Sequence, residues 1–204
     1  MNTSITSRVG AATGAVFAIV LFVAAGNGSE SYSAPRAMAG LAALALFIPF
    51  VAYICSALRA AQAESAWLTQ TALAAGVTGI TLKIVSTVPE LALHRAHVAD
   101  GTALHRLVQS LGDGATVIAL FPLAIFCAAT AIVAFRTTAL PRWLAAFAAV
   151  TAVALAVNGA FLEASFVPAL LLFMVWTLAA SVHLVRSAGR ASAGVRRIEP
   201  LAGN

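Results

Sequence analysis

GATVIALFPLAIFCAATAIVAF, residues 114–135, is a run without a charged residue, held between Asp113 and Arg136. Wound as an α-helix it is about 33 Å long, a match for a hydrocarbon core about 30 Å thick. Its residues are continuously apolar and do not alternate, so it reads as a membrane helix and not as a strand of a transmembrane barrel. Five more apolar runs flank it, near 9–25, 37–58, 67–88, 143–162 and 166–185. They consume most of the 204 residues, and the composition agrees: 61% hydrophobic, 9% charged, mean hydropathy +0.96. The expected fold is all-α. One polytopic bundle of six transmembrane helices fills residues 1–204, with a basic cytoplasmic tail over 186–204.

Charge placement sets the expected orientation. Arg8, Arg59, Arg136, Arg142, Arg186, Arg190, Arg196 and Arg197 fall on the side of the N-terminus and the even-numbered loops. Arg36, Arg95 and Arg106 fall on the other side, and Lys83 lies within a span. The asymmetry predicts both termini in the cytoplasm of a multi-pass plasma-membrane protein, and Trp67 and Trp143 open spans at that interface. The pI near 10.2 then reflects orientation and anionic lipid, not nucleic-acid binding. Residues 9–25 could alternatively be a signal peptide, with Val23-Ala24-Ala25 as the cleavage site, but the apolar stretch is long for one. Gly10, Gly14 and Ala18 give the first span a small-residue face for close helix contact. Pro49 and Pro122 are expected to kink the second and fourth spans, and Pro89 the end of the third. Cys55 and Cys127 read as buried apolar residues, not as a disulfide.

Polar chemistry is concentrated. Glu90, His94, Arg95, His97, Asp100, His105, Arg106 and Asp113 crowd the loop between the third and fourth spans, the one long loop. Lys83, Glu90, His94 and His97 would project within roughly 60° of one another if the helix continues past Pro89. Asp100-Gly101 is a turn signal. After it, Thr102 can cap a short amphipathic helix between the third and fourth spans. This helix carries Leu104, Leu107, Val108 and Leu111 on one face, opposite His105, Arg106 and Gln109, and is expected to lie in the interface plane.

Three readings fit this cluster. It can be a wet interfacial loop, with Lys83 snorkelling outward and Asp113 favoured by the dipole of the fourth span. It can be an acid–base site for a lipophilic substrate. Glu90 and Glu163 are then the catalytic acids, His94 and His97 the orienting or base groups, and Lys83, Asp113 and Asn158 the pocket lining. Glu163 faces Glu90 only if the third and fifth spans are neighbours. It can also be a Zn²⁺ or Cu²⁺ site, drawing on Glu90, His94, His97 and His105; otherwise no cofactor is expected. Bis-histidine haem fails because His183 sits at the opposite face. A retinal-type Schiff base is weak because Glu90 is about 10 Å along the axis from Lys83. No GxGxxG, Walker sequence or nucleophile elbow is present.

Three segments carry a resemblance: Leu111-Gly112-Asp113 entering the fourth span, Leu140-Pro141-Arg142-Trp143-Leu144 opening the fifth, and Phe173 to Trp176 in the last. With eleven arginines to one lysine and abundant alanine, the chain resembles a broad group of uncharacterised six-span membrane proteins of actinobacteria. That resemblance implies the fold and a bacterial plasma membrane, and no activity; His94, His97 and His105 lie outside its pattern. The function expected from the residues is a small membrane enzyme acting on a lipophilic substrate by acid–base catalysis near the outer face. The alternatives are a non-catalytic subunit or partner-binding protein, and a proton- or cation-coupled carrier using Lys83 and Glu90. The bilayer and a lipophilic small molecule are the partners implied.

Overall fold

The apolar runs fall within helices in the computed structural model, which describes residues 3–26, 34–62, 66–98, 101–161 and 167–198. The helices are α1 (Thr3–Gly26), α2 (Ala34–Ala60), α3 (Trp67–Val85), α4 (Val88–Arg95), α5 (Ala103–Arg136), α6 (Arg142–Phe161) and α7 (Val167–Ile198). No strand occurs among the described residues. Among the described residues, five stretches are long and apolar enough to cross a membrane: Met38–Ala60, Trp67–Arg95, Ala103–Arg136, Arg142–Phe161 and Pro168–Gly189. A sixth, Arg8–Val23, is apolar and shorter.

The long helices close into a ring. α1 packs on α2 and α7, α2 on α3, α3 on α5, α5 on α6, and α6 on α7, while α2 and α5 also touch across the middle. The centre is aromatic: Phe17, Phe47, Phe50, Phe126, Phe173 and Trp176 are fully or almost fully buried. Phe17 packs tilted against Phe47 with ring centroids 4.7 Å apart, Phe47 meets Phe126 edge-on at 5.9 Å, and Phe126 meets Trp176 edge-on at 5.8 Å. Such pairings add to area burial because ring edges and faces carry opposite partial charge. The indole N–H of Trp176 donates to the carbonyl of Leu144 at 3.3 Å, so the buried ring keeps its polar group satisfied.

The outer surface is also apolar. Ile19, Phe22, Ile118, Ile125, Val153 and Phe161 all face outward, the last 81% exposed. A surface of this kind is costly in water and matched to hydrocarbon.

The small-residue face of α1 is used on two neighbours at once. Gly10 lies against Tyr53 of α2, and a Cβ on Gly14 would collide with the Phe50 ring and the Ser181 hydroxyl of α7. Ala18, one turn on, is buried. Cys55 and Cys127 are free and buried, as expected.

Several expectations need correction. Pro49 and Pro122 lie inside α2 and α5, which continue past them as helix. The amphipathic piece after Thr102 is not a separate interfacial helix. It forms the first turns of α5, a helix of 34 residues and about 51 Å. Residues 186–198, the first part of the expected basic tail, are helical and continuous with α7. The third and fifth spans, α3 and α6, are not neighbours, because α5 lies between them.

Candidate functional site

The helix breaks at Ser86 and Thr87, just before Pro89. Proline has no N–H to offer the carbonyl of Val85, so the ladder of α3 ends there. Two hydroxyls hold the turn: Ser86 Oγ donates to the carbonyl of Lys83 at 2.7 Å, and Thr87 Oγ1 to that of Ile84 at 2.7 Å. Hydroxyls bonding back to the preceding turn bend helices. α4 then starts with Pro89 in its first turn, where the missing N–H costs least. The elbow nestles on α5 at Gly112, where a Cβ would come within 3.1 Å of the Ser86 carbonyl oxygen.

α4 ends in a Schellman motif. The N–H of His97 bonds the carbonyl of His94, and the N–H of Val98 that of Leu93, each at 3.2 Å. The residue in the left-handed position is His97, with φ of 50°. Glycine is usual there, and a histidine stores strain. His97 is thus outside the helix, and the expected stripe of Lys83, Glu90, His94 and His97 is not one helical face. The i, i+3 pairing behind the metal reading is lost with it. Among the described residues no three His, Cys, Asp or Glu side chains gather as a metal set. His97→Gly is expected to raise stability by about 1 kcal/mol, measured as an increase in melting temperature. A fall would mean that the imidazole contributes more than its backbone costs.

Beyond the turn, Thr102 caps α5 by accepting the N–H of His105 at 3.1 Å. His105, Gln109, Gly112, Asp113 and Thr116 then share one face of α5. Facing them are Lys83, Ser86 and Thr87 at the elbow, and Glu90 and His94 on α4. Between the two faces lies a cleft of about 610 Å³, which His97 and Val98 also line. Lys83 is half-buried at its inner end and donates to Thr116 Oγ1 at 2.9 Å. Glu90, His94, His97 and Asp113 are solvent-exposed along the cleft, and His105 is half-buried.

The cleft brings together Lys83, Glu90, His94, His97, His105 and Asp113, though by three helices and a turn and not by a single stripe. Arg95 and Arg106 are exposed and do not line it. Asn158 does not belong: it is buried on α6. Glu163 and Asp100 lie outside the described residues. Thr116, Ser86 and Thr87 were not expected. Their signal was available, since Thr116 is one turn from Asp113 and Ser86 one turn from Lys83.

Chemically, the cleft offers one ammonium, two carboxylates and three imidazoles beside an apolar wall of Pro89, Leu93 and Val98. Comparison with known protein families, with characterised proteins and with solved structures finds no match to this chain.

Proposed function

We propose that this chain is a six-span protein of a bacterial plasma membrane, with both termini cytoplasmic and the cleft on the outer face. In that setting the cleft binds a lipophilic molecule with a polar end and acts on it by acid–base catalysis. The observation that carries the reading is the cleft itself, six ionisable side chains around an apolar wall in a chain otherwise poor in charge. Glu90 is the proton donor, and His94, one helical turn away, is the base or orienting group. Lys83, fixed by Thr116, anchors the polar end of the substrate.

Support for the membrane setting comes from the apolar outer surface and from Trp67 and Trp143. Both are about 60% exposed at the arginine-rich end, as interfacial anchors are. Beside the cleft, Val85, Val88, Leu107 and Leu111 are exposed, a surface along which a lipid tail can lie. Below Lys83 the packing is filled: Gly79 meets Leu123, and the aromatic cluster follows. A filled centre favours a pocket over the path a carrier needs.

Topology is the first test. Thr102→Cys is expected to react with an impermeant maleimide on intact cells, and Ala191→Cys only after lysis. The native Cys55 and Cys127 are buried and should stay silent. Reversed labelling would put the cleft in the cytoplasm. The second test is turnover of a membrane lipid extract by the purified protein, compared with Glu90→Gln.

A further inference from the structure

The opposite end of the bundle carries a second, smaller hollow, which the proposed activity does not use. It is a groove of about 340 Å³ where the start of α6 meets α7, lined by Trp143, Ala179, Val182, His183, Arg186 and Ser187. The lining is graded along α7. Ala179 and Val182 are apolar; His183, Arg186 and Ser187, one turn further on, are polar. That change within about 6 Å of axis is what an acyl chain joining its headgroup presents. Trp143 stands beside the change, 59% exposed, where an indole bridges the two environments.

The described charge here is basic. Arg186 is exposed beside the groove. A guanidinium nitrogen of Arg8, from α1, lies 3.4 Å from the Cβ position of Gly189, one turn beyond Arg186. Arg59, Arg136 and Arg142 occupy the same end of the bundle. Among the described residues the acidic side chains are Glu90 and Asp113, both in the cleft at the other end. Arg186, exposed at the polar end of the groove, is a cation that an anionic headgroup can pair. Ser187 does not supply a donor, because its hydroxyl already bonds the carbonyl of Leu184 at 2.9 Å.

We infer that this groove is a binding site for an anionic phospholipid. Its phosphodiester pairs with Arg186, in reach of the field of Arg8, and its glycerol and first acyl carbons run down past Val182 and Ala179 beside Trp143. The guanidinium suits a phosphate because its planar fork donates two parallel hydrogen bonds. A free phosphate would leave the apolar half of the groove unfilled, so the lipid is the occupant that uses the whole lining. The inference rests on the membrane-spanning part of the reading above and is independent of the catalytic part.

The test uses the full chain in detergent micelles, whose lack of sidedness separates it from the orientation test. Melting temperature is followed against added phosphatidylglycerol, phosphatidylcholine of the same acyl chains, and inorganic phosphate. Phosphatidylglycerol alone is expected to stabilise the protein. Arg186→Gln should weaken that effect by roughly ten-fold or more in apparent affinity, the scale of a lost charge-assisted contact. Ser187→Asp, which sets a carboxylate at the polar end, should do the same; it serves if Arg186→Gln fails to fold. Arg59→Gln, at the same end but outside the groove, should change little. The proposal is overturned by equal stabilisation from phosphatidylcholine, by a response to phosphate matching that to the lipid, or by undiminished lipid response in the two groove variants. An equal loss in Arg59→Gln would also overturn it, by showing diffuse attraction to a basic surface.

Discussion

Glu90→Gln is expected to reduce turnover by roughly 10²- to 10⁴-fold while expression and melting temperature stay at wild-type values. The two halves of that expectation have different physical sources. Glu90 is exposed at the cleft and holds no core contact, so the amide, equal in size, leaves the bundle as it was. The amide cannot release a proton, so a reaction that needs one in its transition state loses its donor. The protein alone does not bury Glu90; in the proposed reading, the substrate and the surrounding bilayer would desolvate the carboxyl once the cleft is filled. That makes a further comparison informative. A substrate with a shortened tail should react slowly in wild type but be less sensitive to Glu90→Gln, because water then supplies the proton. His94→Gln is expected to act in the same direction, since it faces the same cleft one turn along α4. Wild-type turnover in both variants would remove the acid–base reading and leave a docking or accessory role for the cleft.

The helices were legible because an uncharged run of about 20 residues has few alternatives in lipid. The polar cluster was legible for a related reason: in so apolar a chain, charges cluster where water is. Its internal geometry was not. The end of α4 at Ala96 carries no glycine signal, because His97 takes the left-handed position itself. The sequence Leu111-Gly112-Asp113-Gly114 looks like a helix boundary, yet α5 runs straight through it. Gly112 is there for the approach of the Ser86 carbonyl and not for a turn. Asn158 was misplaced because residue patterns within spans do not reveal the order of helices around a ring. α6 packs on α5 and α7, and Asn158, buried there, does not reach the lining of a cleft built on α3, α4 and α5.

Gly14→Val is expected to destabilise the bundle by about 3 kcal/mol or more, among the largest losses available from one surface-neutral substitution. The cause is backbone proximity. A Cβ at this position overlaps the Phe50 ring on one side and the Ser181 hydroxyl on the other, so α1 cannot escape one neighbour by moving toward the second. Neither neighbour can yield easily. Phe50 and Ser181 are both fully buried, and Phe50 packs at 5.6 Å on Phe47, which belongs to the central aromatic cluster. Strain at Gly14 therefore passes through Phe47 to Phe17, Phe126 and Phe173. Gly114→Ala is the control, since a Cβ there meets nothing within 4 Å. It should raise stability by up to about 1 kcal/mol, the usual gain of alanine over glycine in a helix. Thermal melting in one detergent reads both. A double-mutant cycle with Phe50→Leu identifies the contact: a smaller side chain makes room, so the pair should lose less than the sum of the single variants. Strict additivity, or a Gly14→Val protein that melts like wild type, would show that α1 does not pack on α2 and α7 through this glycine.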